Sequence, residues 1–273
     1  MRTYRLNIVI LSSLLLSVLT AVCLAGEDPE KLTAEQKREF LLHADVIGSK
    51  STGKGITNAV RLKLSDGRIT HDALFQSINE RRPYKQLSRG SEINFVDSYL
   101  YNIAAYELAR LIGLDDMLPV TVPRTWNGNS GAVSWWLPVQ MDEGERQKRK
   151  ITPPDLMVWN ESMYKVRVFS ELIYDTDRSN PGNILIGDNW ELYMIDFTRA
   201  FRLYHDLKNP DNLVRCSREL LEKLRALDAE ELKSRLGKYL TEMEIEGVLK
   251  RRDKIVDHFD KLIAEKGEYA VLY

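Results

Sequence analysis

Asp175-Thr-Asp-Arg-Ser-Asn-Pro-Gly-Asn183-Ile-Leu-Ile186, followed closely by Tyr193-Met-Ile-Asp196-Phe-Thr-Arg199, is the stretch on which the reading of this chain turns. An acidic, amide-rich loop runs into a short apolar segment, and a second apolar segment ends on an aspartate. Gly187-Asp-Asn-Trp190 lies between Ile184-Leu-Ile186 and Leu192-Tyr-Met-Ile195, which predicts a small hairpin. Asp, Asn, Pro and Gly also suit any surface turn, so the stretch takes its meaning from its surroundings.

Upstream, Thr152-Pro-Pro-Asp155 predicts a helix start with Thr152 as cap and Pro153 at the first helical position. That helix carries Leu156, Trp159, Met163, Val166, Phe169, Leu172 and Ile173 down to the acidic loop. Downstream of residue 210, capping boxes at Asp228-Ala-Glu-Glu231 and Thr241-Glu-Met-Glu244 open further helices. Before residue 150 the period falls to two. Ile56, Val60, Leu62 and Leu64 alternate, Ser65-Asp-Gly-Arg68 turns, and Ile69, His71, Ala73 and Phe75 resume, which predicts a β-hairpin. Residues 95–114 read as a helix with Ile103, Tyr106, Leu108, Leu111 and Ile112 on one side, ended by Gly113. Another hairpin is expected around Trp126-Asn-Gly-Asn129, and Thr33-Ala-Glu-Gln36 resembles a capping box. The expectation is an α+β, bilobal protein: an N-terminal helix within 26–45, a β-rich lobe over 46–138 and a helical lobe over 139–273.

Arg2 and Arg5 precede an uncharged run from Ile8 to Leu24 that ends Cys23-Leu-Ala25, the pattern of a secretory signal peptide over residues 1–25. The expected location is secreted or periplasmic, with no membrane span once the signal is removed; a retained N-terminal anchor is the alternative. Of two cysteines only Cys216 would then remain, so no disulfide staples the mature monomer. Net charge is −1 and 44% of residues are hydrophobic, enough for an ordinary core. Basic residues are scattered apart from Arg146-Gln-Lys-Arg-Lys150, which gives nucleic-acid binding little support. His43, His71, His205 and His258 offer no metal spacing or triad, and Cys216 has no base partner.

Gly48-x-x-x-x-Gly53-Lys54 matches most of a phosphate-binding loop, but Gly55 stands where Ser or Thr is required and a strand follows, not a helix. Two readings stay open for Gly53 and Lys54: a glycine loop closing over phosphates, or an ordinary surface turn. Trp135 and Trp136 are open between packing on a planar base and covering the core. Arg199, Arg202 and His205 form a small basic cluster suited to a phosphate-bearing or acidic acceptor, or to answering the acidic loop.

Taken together these stretches resemble the atypical protein-kinase-like superfamily. The branch nearest in pattern holds type II phosphatidylinositol 4-kinases, HipA kinases and secretory-pathway kinases, and within it uncharacterised secreted bacterial members. The resemblance rests on Leu64-Ser-Asp-Gly67 through Phe75, Asn102-Ile-Ala-Ala-Tyr106 through Leu114, Val120-Thr-Val-Pro123, Asp177-Arg178 through Leu185, and Ile195-Asp-Phe-Thr-Arg-Ala-Phe201. It implies a bilobal kinase-like fold, with ATP and Mg²⁺ or Mn²⁺ as cofactors. The implied activity is metal-assisted phosphoryl transfer to an unidentified hydroxyl acceptor on a protein, lipid or sugar. Under it, Asp177 orients the acceptor hydroxyl and takes its proton late, Asn183 holds a metal ion through its amide oxygen, and Asp196 bridges metal to phosphates. Oxygen donors fit because Mg²⁺ is small and hard.

Three departures from the pattern carry alternatives. Gln76 stands where relatives place the lysine that clamps the α- and β-phosphates, and Asn102 stands where they place its glutamate partner. Losing both avoids a stranded buried charge. The interval from Asp177 to Asn183 is one residue longer than is usual, so Asn180 is a substitute metal ligand. These changes leave two alternatives: a pseudokinase that binds a ligand or protein, and a nucleotidyl transferase.

Overall fold

Thr33 accepts the Gln36 amide N–H at 3.2 Å while the Gln36 side chain accepts the Thr33 N–H at 2.8 Å, a closed capping box that starts helix α1 (Ala34–His43). The computed structural model describes residues 28–53, 59–87 and 90–273; the expected signal peptide and Lys54 lie outside them. Arg124 fastens α1 to the sheet by donating to the carbonyls of Leu41 and Ala44 at 2.8 and 2.7 Å. Arg38 adds an ion pair at 2.7 Å to the buried Glu107.

Five strands follow: β1 (Asp45–Ser51), β2 (Val60–Ser65), β3 (Thr70–Gln76), β4 (Asn79–Leu87) and β5 (Gly90–Ser98). Helix α2 (Leu100–Ile112) then leads to β6 (Thr121–Trp126) and β7 (Asn129–Trp135). The main sheet is antiparallel with order β1-β2-β3-β7-β6. Its first turn closes because the Asp66 carboxylate accepts the Arg68 and Ile69 N–H groups and Gly67 takes φ 84°, a region L side chains rarely adopt. Leu62, Leu64, Ala73, Phe75, Val122 and Val133 are buried in the core against which α1 and α2 pack. Gly131 is required by contact: a Cβ there would sit 2.5 Å from the Phe75 ring.

The helix expected over 95–114 starts only at Leu100, because residues 95–98 complete β5. β4 and β5 form a separate two-stranded hairpin inserted between β3 and α2. Its strand Asn79-Glu-Arg-Arg-Pro-Tyr-Lys-Gln-Leu87 lacks apolar alternation, so period two does not announce it. Ser98 N–H donates to the Thr198 carbonyl at 2.8 Å, tying the end of this hairpin to the segment after Asp196.

The second half holds β8 (Met141–Asp142), α3 (Glu143–Arg149), α4 (Leu156–Leu172), β9 (Ile184–Ile186), β10 (Leu192–Met194) and four helices: α5 (Arg218–Ala226), α6 (Ala229–Leu236), α7 (Glu242–Lys266) and α8 (Glu268–Val271). α4 starts at Leu156, not at Pro153, since Asp155 supplies the cap by accepting the Met157 and Val158 N–H groups at 2.8 and 3.0 Å. α6 has half of the expected box, with Asp228 accepting from Glu230 and Glu231, whereas α7 has the complete Thr241–Glu244 box. In the basic run, Arg146 pairs with Glu143 and Arg149 with Glu145 on the same helix. Arg251 of α7 is fully buried and donates to the carbonyls of Leu172, Arg202 and Tyr204, pinning the end of α4 and the segment after Asp196 together. Cys216 is buried, and burial pushes its thiol up to about 12, away from the reactive thiolate form. Among the described residues no helix is long and apolar enough to cross a membrane. The result is a β-rich region stacked on a helix-rich one.

Candidate active site

α4 ends at Leu172, Tyr174 turns the chain with φ 47°, and the Asp175 carboxylate arrives buried. It accepts the Asp177 N–H at 2.9 Å and the Arg178 Nε–H at 2.8 Å. Arg178 then donates to the carbonyls of Asn183 at 2.5 Å and Ile195 at 3.1 Å, one on each side of the small hairpin. This buried Asp175–Arg178 pair knots the acidic loop to β9 and to the residue before Asp196. Its hydrogen bonds satisfy the ions that burial would otherwise strand.

Held by that knot, Asp177 keeps a side chain 41% exposed, with the Arg199 guanidinium 4.0 Å from its carboxylate. Asn180 caps a short turn over Pro181–Asn183: its Oδ1 accepts the Gly182 N–H at 3.1 Å and its Nδ2 donates to Asn183 Oδ1 at 3.3 Å. Asn183 Nδ2 donates to the Asp177 carbonyl at 3.4 Å. The extra residue in this loop therefore becomes a cap whose amide touches that of Asn183, so both amides belong to one cluster. Asp196 follows β10 with φ 58° and accepts from the Thr198 hydroxyl at 3.2 Å. Burial raises its pKa above the ordinary carboxylate value, with the charges of Asp177, Asp97 and Asp175 adding to the rise. Among the described residues Asp196 has no cationic partner. Asp97 of β5 contributes a buried carboxylate oxygen without a hydrogen bond on the same side.

Above this loop lies a cleft of about 560 Å³ lined by Thr52, Ala59, Leu74, Leu185, Trp136 and the pairs described next. That volume is in the range of small-molecule sites. Gln76 and Asn102 line it and meet: Asn102 Nδ2 donates to Gln76 Oε1 at 2.9 Å, and Asn102 Oδ1 accepts the Phe197 N–H at 2.8 Å. A neutral amide pair thus spans from β3 through α2 to the residue after Asp196. Thr121 and Ser134 place two buried hydroxyls, 2.9 Å apart, on the inner wall. Asp142, at the N-cap of α3, and Asp196 are the charged residues of the described lining.

Of the residues singled out from the sequence, Gln76, Trp136, Asn180, Asn183 and Asp196 line one cleft, and Asp177 stands beside it. Gly53 does not line it; the neighbouring Thr52 does, and Gly53, at φ 62°, turns the chain beyond it. Lys54 lies outside the described residues. Trp136 is not an open platform, because the Arg61 guanidinium sits 4.0 Å over its ring and is held by Asp72. Trp135 belongs to the core, stacked on His71 at 3.8 Å. His71 Nε2–H donates to the Trp136 carbonyl at 2.9 Å, and burial lowers its pKa, so the ring is neutral. Asp142, Asp97 and the Thr121–Ser134 pair were not legible from sequence; only the Asp-x-x-Glu spacing of Asp142 and Glu145 carried a signal, and it spoke of a helix cap.

The oxygen donors fit a hard divalent cation. Asp196 is an unpaired carboxylate under strain from burial and like charge, and the Asn183 and Asn180 amide oxygens are its neighbours in the cleft. No cluster of three or more His, Cys, Asp or Glu with metal-binding geometry exists among the described residues, so the amides and ligand oxygens would have to complete any shell.

No protein-family model and no curated protein sequence matches this chain. Solved structures do. A hydra Fam20 determined with sugar is similar with TM-score 0.67 and 16% identity, covering 88% of this chain and 92% of that one. The Golgi casein kinase is similar with TM-score 0.64 and 13% identity over 90% and 78% of the two chains. Its form with Mn and ADP bound gives TM-score 0.62 and 12% identity over 88% and 78%. The Helicobacter pylori proinflammatory kinase CtkA gives 0.52 and 11% over 83% and 98%. At such identities the likeness concerns architecture: this chain has the bilobal kinase-like fold, β-rich region first and helix-rich region second.

Proposed function

We propose that the chain is a metal-dependent phosphotransferase that uses ATP, with the cleft between the two regions as its nucleotide site. The observation that carries this is Asp196: a carboxylate with a raised pKa and, among the described residues, no cationic partner, beside two amides and Asp177. A bound Mg²⁺ or Mn²⁺ would relieve the crowding of charge and supply the electrostatic neutralisation that phosphoryl transfer needs. The similarly folded Golgi casein kinase with Mn and ADP bound supports the same choice of ligands. Ala59, Leu74 and Leu185 offer apolar surfaces for a base, and the Thr121 and Ser134 hydroxyls a polar back wall. Asp177 is exposed enough to meet an acceptor hydroxyl. It orients that hydroxyl and receives its proton as the oxygen bonds to the γ-phosphorus and the bond to ADP breaks. Arg199 holds the Asp177 carboxylate in place from the other side. Residues 1–25 are proposed to direct the chain to a secreted or periplasmic location.

A second reading has its own observation. The Gln76–Asn102 amide pair brings no charge to the phosphates, which favours slow transfer, a reversed nucleotide with nucleotidyl transfer, or binding without transfer. Labelled ATP separates these. Label from the γ position on an acceptor supports the proposal, and loss of that transfer in Asp177→Asn with nucleotide affinity retained supports the role of Asp177. Label from the α position would replace the proposal with nucleotidyl transfer, and binding with neither label moving would replace it with a pseudokinase.

A further inference from the structure

The β4–β5 hairpin and the segment that follows Asp196 enclose a second groove of about 690 Å³. Two arginines of that segment converge on a single carboxylate of the hairpin. Arg202 Nη2 lies 2.6 Å from Glu92 Oε1, and Arg199 Nη2 pairs with Glu92 Oε2. The Arg202 side chain is 6% exposed, yet none of its N–H groups makes a well-formed hydrogen bond, and Arg199 Nε–H makes none either. A buried guanidinium normally saturates its five donors. Here the two oxygens of Glu92 face two guanidiniums with donors to spare, and the next carboxylate, that of Asp177, stands off at 4.0 Å from Arg199.

The other arginines of the groove have hydrogen-bonded carboxylates, one of them shared, since Glu80 also accepts from Lys85. Arg81 pairs with Glu244 at 3.0 Å, Glu244 also accepts from Tyr101, and Arg82 pairs with Glu80 at 2.8 Å. Among the arginines around this groove, the buried donors left without a hydrogen bond belong to Arg199 and Arg202. Because Arg199 also lies 4.0 Å from the Asp177 carboxylate, these idle donors adjoin the acceptor side of the proposed reaction.

We infer that Arg199 and Arg202 form an anion subsite that Glu92 occupies as a built-in stand-in, and that its ligand is a phosphate or sulfate ester group on the hydroxyl-bearing acceptor. A tetrahedral ester group brings three acceptor oxygens, and a phosphate ester up to two charges, where Glu92 brings two oxygens and one charge. It satisfies donors that the carboxylate leaves idle. Displaced, Glu92 leaves with the hairpin edge, which opens the groove next to Asp177. This inference rests on the phosphotransferase reading for the word acceptor, but the subsite itself does not depend on it.

The test titrates the full chain with inorganic phosphate, sulfate and acetate at fixed ionic strength, without nucleotide or metal. Glu92→Gln removes the competing charge and should bind phosphate and sulfate with one site at least tenfold more tightly than the parent, and acetate no more tightly than the parent does. Adding Arg199→Gln to Glu92→Gln should reverse that gain. Arg199 is the partly exposed partner and avoids the folding risk of replacing Arg202. Asp196→Ala should leave the phosphate affinity unchanged, which separates this groove from the cleft. Equal phosphate affinities for parent and Glu92→Gln, or a gain that survives Arg199→Gln, would overturn the subsite. Acetate binding as tightly as phosphate would overturn the ester assignment. A parallel titration with ATP and Mn²⁺ keeps the two proposals apart: phosphate binding without nucleotide binding sinks the phosphotransferase reading alone, and the converse sinks the subsite alone.

Discussion

The cleft and the hairpin groove are charged in opposite senses, and Asp177 is linked to both, through Asn183 of the cleft and through Arg199 beside the groove. The described wall of the cleft carries Asp142 and Asp196, a neutral Gln76–Asn102 pair and no arginine or lysine. The groove carries Arg81, Arg82 and Arg202, with Arg199 at its edge, against Glu92 and Glu244. A polyanion alone is repelled by the first and drawn to the second. The difference teaches that the cleft suits a nucleotide only when a cation comes with it, while the groove suits an anion directly. Asp175, Arg178 and Arg251 hold both surfaces in register with one loop.

The largest expected effect comes from removing what ties the end of α4 to the segment after Asp196. Burial lowers the pKa of Arg251 to about 10, and its guanidinium serves three carbonyls from α4 and the segment after Asp196. Arg251→Met strands those carbonyls and should cost about 3–5 kcal/mol in denaturant unfolding. A loss under about 1 kcal/mol would mean that α4, α7 and the segment after Asp196 hold together without it.

Next in size is the neutral pair. Gln76→Lys breaks the buried amide pair by placing a charge beside Asn102 and should cost about 2 kcal/mol. Asn102→Glu added to Gln76→Lys should recover at least about 1 kcal/mol as coupling in a double-mutant cycle. Additive losses would show that the two side chains do not act as a unit. The double variant should also bind ATP more tightly than the parent at equal Mg²⁺, because the cleft would then hold a cation of its own.

A smaller effect isolates Asp196. In the metal-free protein its folded-state pKa lies above the ordinary 3.8, chiefly through burial. The folded state therefore keeps the proton to higher pH than the unfolded chain does. Stability falls as pH rises from about 3.8 through the folded value, and the full cost is present at neutral pH. Asp196→Asn removes that cost. It should melt higher than the parent at pH 7 by about 2–4 °C, the shift expected for about 1 kcal/mol in a chain of this size. The gap should close below the ordinary value, where both states are protonated. A lower melting point for Asp196→Asn at pH 7 would mean that the carboxylate has a partner in the folded protein.

The fold was legible in sequence where side-chain period and capping chemistry agree. Leu62, Leu64, Ala73 and Phe75 alternate around Asp66-Gly67, and Thr33, Thr241 and the Ile184–Met194 hairpin are local signals that the structure repeats. The β4–β5 hairpin was hidden because its strands are mostly charged or polar and pair only with each other. The Thr152 cap misled because Asp155 offers a competing acceptor to two N–H groups. In the site, Asp177, Asn180, Asn183 and Asp196 could be named because loop and hairpin are close in sequence. Glu92 and Asp97 could not, since tertiary packing alone carries a hairpin more than a hundred residues away from Arg199 onto its guanidinium.

The central claim is that the cleft takes nucleotide and divalent metal together through Asp196. Titration calorimetry of the full chain with ATP tests it most directly, run with Mn²⁺, with a chelator, and with Asp196→Ala in Mn²⁺. Saturable binding with Mn²⁺, weakened at least a hundredfold (about 2.7 kcal/mol) by the chelator or by the substitution, is the predicted result. Equal ATP affinity under all three conditions would contradict the account.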